Sequence, residues 1–276
     1  SRGFDLYKRR TDATSTLISQ YTSETYGGGL RYGVPISDEE TFHYGLALEN
    51  TRLGLTSNSP QRFIDYINTF GNTNQNVIGT IGWSRDTRDS AVFPTEGGMQ
   101  RANIEASLPV SGQRYYKLTY GQQWFQPLSG NLTLRLNGDL GLADGYSGME
   151  LPFFKYLYAG GSGTVRGYDY NSLGPRDASG YSMGGNRRVV GNAEMLFPMP
   201  GMEKSKSMRL SLFLDGGAIY GGQTQVPASE GMRYAGGFGL TWFSPAGPIQ
   251  ISWAKALNAQ PQDKLQSFQF TFGSMF

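Results

Sequence analysis

The sequence predicts an all-β fold, an antiparallel transmembrane β-barrel, and three observations carry that expectation. Apolar residues recur at every second position in runs of about the 9–11 residues that a tilted membrane strand needs. The composition sets 39 Gly and 17 Tyr beside a hydrophobic fraction of only 38%, too polar for a bundle of membrane helices and too aromatic for a disordered chain. The connections between runs alternate between short and long, as turns and loops do in outer-membrane barrels.

Taken in order, the first run lies near residues 3–10. The second presents Leu30, Tyr32, Val34 and Ile36 on one face, and the third presents Phe42, Tyr44, Leu46 and Leu48. A run near 77–86 precedes one with Ala102, Ile104, Ala106 and Leu108, and another covers 114–126. Residues 131–143 are the clearest case. Leu132, Leu134, Leu136, Leu140 and Leu142 fall on one face, and Thr133, Arg135, Asn137 and Asp139 on the other, a division that a two-residue period produces and a helix would mix. A run near 188–197 follows. In 208–220, Leu210, Leu212 and Leu214 share a face that excludes Arg209 and Asp215. Runs near 234–243 and 249–256 lead to a last one with Phe268, Phe270 and Phe272 in register. About twelve strands are visible. A soluble sandwich also alternates, but its strands are nearer 5–6 residues.

Turn sequences SDEE at 37–40, QPLSGN at 126–131 and SPAGP at 244–248 mark tight links. The segments 54–75 and 144–187 are longer and are expected to be extracellular loops, which places the short turns and, with an even strand number, both chain ends on the periplasmic side. No stretch approaches the roughly 18 apolar residues of a spanning helix, and no signal peptide is visible.

The polar faces define a lumen holding Arg31, Glu49, Glu105, Lys117, Arg135, Asp139, Arg188, Glu194 and Asp215. Charges there avoid the cost of about 2–4 kcal/mol that Lys or Arg pays at the lipid midplane, and hydrated lining accounts for most of them. Residues 155–177 do not fit a strand, and a loop of this length is usually functional or disordered. Arg166 stands among Gly160, Gly161, Gly163 and Gly167, which suggests a loop folded into the barrel and anchored by an arginine.

Other function classes find little support. Lys and Arg are scattered among Asp and Glu at a net charge of +2, so no nucleic-acid partner is expected. His43 is the only histidine and no cysteine is present. With no G-x-S-x-G element and acids placed singly on different strands, neither catalysis, a metal site nor a cofactor is expected. A passive porin would share the alternation but not the inserted loop.

TVRGY at 164–168 resembles the VRG[FY] motif of the Omp85 superfamily, so Val165, Arg166, Gly167 and Tyr168 correspond to a loop that folds into the lumen. The resemblance pairs Arg166 with Asp215 in FLDGGAIY. RDTRD at 85–89 with FPTEGG at 93–98 resembles another family element, and WFSPAGPIQISWA its penultimate hairpin. FQFTFGSMF resembles the C-terminal β-signal, with Phe268, Phe270, Phe272 and the final Phe276. The matches run in the family's order over nearly the whole chain. The resemblance implies a place in the bacterial outer membrane, contact with the lipid bilayer, with unfolded outer-membrane clients and with accessory lipoproteins, and insertion of nascent barrels without a cofactor. A two-partner secretion transporter exporting one client is the nearest alternative. Family barrels of the assembly type have sixteen strands behind periplasmic POTRA domains and a lateral gate between first and last strands. Residues 1–276 are therefore expected to be the C-terminal part of such a barrel, truncated at the N-terminal side and without POTRA domains.

Overall fold

A computed structural model describes residues 1–12, 20–201, 207–221 and 231–273. Its elements are β1 (Arg2–Asp12), β2 (Tyr21–Pro35), β3 (Glu40–Leu55), α1 (Gln61–Phe70), β4 (Thr73–Asp86), β5 (Gly97–Ser107), β6 (Tyr115–Ser129), β7 (Leu132–Gly145), the two-residue β8 (Gly167–Tyr168), β9 (Arg187–Pro198), β10 (Met208–Tyr220), β11 (Arg233–Ser244), β12 (Gly247–Ala256), the two-residue β13 (Leu265–Gln266) and β14 (Phe268–Phe272).

Twelve strands pair with their neighbours along the chain in one antiparallel sheet, with β1 and β14 at its edges. β8 and β13 pair separately, Gly167 opposite Gln266 and Tyr168 opposite Leu265. Pairing consecutive strands is the outcome expected of short antiparallel connections. The register keeps like faces together: Leu136 stands opposite Trp124 on one side and Ala193 on the other, while Arg135 stands opposite Phe125 and Glu194.

The two faces differ as the alternation predicts. Leu46, Leu48, Ile104, Leu136, Leu140, Leu212, Leu214, Phe268, Phe270 and Phe272 are exposed on the outer face. Apolar exposure on this scale is rare in a soluble monomer and is the lipid-facing band of a membrane sheet. Inward, Ser211, Phe213 and Asp215 are buried. None of the described helices is long and apolar enough to cross a membrane.

Two departures concern the connections. The 54–75 segment contains α1, which Pro60 precedes and Gly71 ends at a φ of 81°. Its Phe63, Tyr66, Ile67 and Phe70 follow helical spacing and pack against Tyr21, Leu53 and Phe153. Phe63 stacks on Phe153 at 4.2 Å between ring centroids. Amphipathic periodicity marked this helix in the sequence, but length alone marked it as loop. The second departure is residues 87–96, which join β4 to β5 at the end of the sheet that carries the tight turns 36–39, 130–131 and 245–246. The alternation of lengths fails there because this connection folds inward, as described below.

Candidate functional site

The inward faces of β9 and β10 and the loop 146–186 build the site. Along β10 the period of two that sends Leu212 and Leu214 out sends Phe213 and Asp215 in. On β9 the same parity sends Asn192 and Glu194 in, and the register sets Asn192 opposite Asp215. One carboxylate, one amide and a second carboxylate therefore converge on a single point of the wall.

Arg166 fills that point. Its Nε donates to Asp215 Oδ2 at 2.7 Å and one terminal nitrogen to Oδ1 at 2.8 Å, a bidentate pair. Its other terminal nitrogen donates to Glu194 Oε1 at 2.8 Å, and its backbone N–H reaches Asp215 Oδ2 at 3.0 Å. The guanidinium lies 3.3 Å above the centre of the Phe213 ring. Planar bidentate geometry suits arginine and not lysine. Burial would lower the Arg166 pKa, but hydrogen bonding to Asp215 and the field of Glu194 outweigh it, and the net shift is upward. The group stays cationic at any working pH.

The remaining valences are also used. Asn192 Nδ2 donates to Asp215 Oδ1 at 2.8 Å and to the Thr164 carbonyl at 2.7 Å. Arg135 donates to Glu194 Oε2 at 3.1 Å. Asp215 is 0% exposed, and a buried charge of this kind is tolerable because partners surround it. Removing one partner from such a pair typically costs about 3–5 kcal/mol.

Close packing requires glycine at two positions. A Cβ on Gly217 would sit 2.6 Å from Val165 Cγ2, so any larger residue would push the loop off the wall. Gly167 has a φ of 86° and lies against Ala235 and Ala254, where a side chain would be both strained and crowded. Between them, Val165 packs with Val190, Ile219 and Leu173 in a buried cluster that also holds Tyr168.

Val165, Arg166, Gly167 and Tyr168 are thus all placed on the inner wall, and Asp215 meets Arg166. Tyr168 O accepts from Gln269 Nε2 at 2.7 Å, and Ser162 Oγ lies 2.9 Å from Thr271 Oγ1, so the loop also touches β14. Phe268, Phe270 and Phe272 point outward from that strand. Phe276 lies outside the described residues.

Sequence reasoning placed Glu194 in the lumen but missed it as a second acceptor for Arg166, and it missed Asn192. The signal was parity within ten residues of VRGY's wall strand, which says which face a residue takes but not what stands across from it. Lys155 was also missed. It sits in a single 3-10 turn (Phe153–Lys155) and ties the other end of the loop to the opposite wall. Its Nζ lies 2.8 Å from Glu105 Oε1 and 3.8 Å from Glu49 Oε2, with Tyr115 donating to Glu105 and Tyr7 to Glu49. Arg188 pairs with Asp139 at 2.6 Å. Arg31 lies inward but exposed, bound to Asp5. His43 is exposed, with Nε2 3.4 Å from Ser84 Oγ. Among the described residues no three His, Cys, Asp or Glu groups gather as metal ligands.

Residues 1–276 match the Omp85 superfamily domain. The outer membrane protein assembly factor BamA of Neisseria meningitidis serogroup B is 37% identical over an alignment of 314 residues that takes in 100% of this chain and 39% of that protein. The BamA of Nitratidesulfovibrio vulgaris is 24% identical over 94% of this chain and 33% of its own length. The chain spans about two fifths or less of these relatives. In fold it is similar to BamA from Haemophilus ducreyi lacking POTRA domains 1-3, at a TM-score of 0.89 and 22% identity over 98% of this chain and 57% of that one. CdiB from Escherichia coli gives a TM-score of 0.60 at 13% identity, covering 98% of this chain and 48% of its own. With the domain matched from end to end, this chain belongs to the Omp85 superfamily.

Proposed function

We propose that this chain is the membrane-embedded barrel portion of a factor that inserts nascent β-barrel proteins into the bacterial outer membrane, as the core of a BAM-type complex with accessory lipoproteins. The observation that carries the reading is 37% identity, across the whole chain, to a protein named for outer membrane protein assembly. Residues 144–187 act in it as an extracellular loop folded into the lumen, and Arg166 with Asp215 holds that loop on the wall. The C-terminal aromatic run Phe268, Phe270, Phe272 and Phe276 serves as the β-signal. The role is not enzymatic and uses no cofactor.

The physics of insertion is backbone pairing. A strand entering lipid must have its N–H and C=O groups paired, since each unpaired group costs several kcal/mol there. A sheet with an available edge supplies partners for the incoming strand. An anchored lumen loop would keep the wall beside that edge in shape while it exchanges partners. The export-transporter reading has weaker support, because the sequence identity lies with an assembly factor.

The test uses the full-length protein in proteoliposomes with a urea-denatured outer-membrane client, folding being read by the heat-sensitive gel shift. Client folding should be faster than in protein-free vesicles and should slow with Arg166→Ala. Client transfer into the vesicle interior without folding into the bilayer would replace this reading by export.

A further inference from the structure

Residues 87–96 are not explained by the anchoring of the long loop. The segment is built as a rigid unit. Asp89 accepts from Thr95 Oγ1 at 2.5 Å, from the Thr95 N–H at 2.8 Å and from the Glu96 N–H at 3.2 Å. At its base Thr87 and Gly98 exchange hydrogen bonds, Thr87 Oγ1 accepting from the Gly98 N–H at 3.0 Å, and Arg88 pairs with Asp86 at 2.6 Å.

The tip of the segment does not rest on its own strands. Arg209, the first inward residue of β10, donates to the carbonyls of Pro94 at 2.7 Å and Phe93 at 3.0 Å. The same guanidinium lies 4.8 Å from the Phe93 ring centre, and Phe93 meets Phe243 of β11 edge to face at 4.6 Å. Going from β5 to β10 along the sheet takes four steps, through β6, β7 and β9, or roughly 19 Å at the usual strand spacing. The segment makes the connection directly, as a chord across the curved sheet. Between this chord and the Arg166 loop lies a chamber of about 750 Å³ whose lining includes Phe93, Pro94, Gln123, Thr164 and Arg166.

We propose that residues 87–96 form a floor across the lumen, clasped by Arg209, that closes the chamber to solutes at the short-turn end while the 144–187 loop closes the other. With both ends of the chamber covered, the wall can work without opening a channel along the lumen. The clasp fits that task. Backbone carbonyls are acceptors that no change of pH removes, and an Arg that bonds two consecutive carbonyls fixes both position and orientation. The proposal concerns permeability and stands whether or not the chain assembles other barrels.

These 276 residues hold no cysteine, and any cysteine elsewhere in the full-length protein is first replaced by serine. Gln123→Cys places a thiol in the chamber, and Asp38→Cys places one in the exposed turn at the same end. The full-length protein in proteoliposomes is treated with a bulky, charged maleimide that reaches the short-turn end. Gln123→Cys should react at least roughly tenfold more slowly than Asp38→Cys, as expected when labelling waits for local opening. Adding Arg209→Ala should remove most of that protection. Phe93→Ser serves as a second disrupting variant should Arg209→Ala fold poorly by the gel-shift assay, and Arg209→Lys should restore protection only in part. Equal labelling of the two thiols in the unmodified floor, or protection untouched by both disrupting variants in folded protein, would overturn the proposal.

Discussion

Two segments enter the lumen of this sheet, and they are held in different ways. The 144–187 loop brings buried charges to charges: Arg166 meets Asp215 and Glu194 with side-chain exposures of 6%, 0% and 5%. Residues 87–96 bring backbone carbonyls to one half-buried arginine. The difference teaches where each is vulnerable. A buried carboxylate left alone pays nearly its whole desolvation penalty, whereas a carbonyl near the mouth of the sheet can turn to water.

The largest effect should therefore come from the charged anchor. Arg166→Ala is expected to destabilise the protein by about 3–5 kcal/mol, because Asp215 and Glu194 lose their common partner. Unfolding in lipid vesicles measures this, and a double-mutant cycle with Asp215→Ala should show strong coupling, each single change costing more than the pair implies. Additive losses would erase the distinction between the two segments.

Both segments lean on one wall, and the next prediction probes that wall. Leu134→Arg should cost about 2–4 kcal/mol, the amount for a cation at the lipid midplane, while Gly121→Arg, on the inward face opposite Asp139 where an added Cβ would meet nothing within 4 Å, should be mild. Equal effects on unfolding would mean that the faces are misassigned. Arg209→Ala should be smaller than Arg166→Ala, at about 1.5–3 kcal/mol for hydrogen bonds made by a charged donor. A loss as large as that of Arg166→Ala would show that the floor is as deeply buried as the anchor.

The smallest effect is a pH dependence of the floor. Burial would raise the Asp89 pKa, but the Thr95 hydroxyl and the Thr95 and Glu96 N–H groups outweigh it and leave it lowered. A carboxylate lowered in the folded state contributes stability above its unfolded pKa and loses it as pH falls through the folded value. Both thiols lose thiolate in acid, so the readout is the labelling rate of Gln123→Cys divided by that of Asp38→Cys at the same pH; this ratio should rise below the ordinary carboxylate range, and Asp89→Asn should flatten that response.

Much of this protein was legible from residue order. A period of two is enforced by the pleat, so each residue's face follows from counting, and the twelve runs correspond to the twelve strands of the sheet. Counting also put Asp215, Glu194, Glu105 and Glu49 inward. Helix α1 was readable from Phe63, Tyr66, Ile67 and Phe70, yet the length of the 54–75 segment drew attention away from their spacing. Which inward groups meet was a different matter. Glu194 and Lys155 became anchors, and residues 87–96 reached Arg209, because sheet curvature brings strands far apart in order within hydrogen-bond range. Local sequence determined faces and turns through pleat geometry; only the tertiary structure decided partners across the lumen, since curvature is a property of all the strands together and is written in no single one.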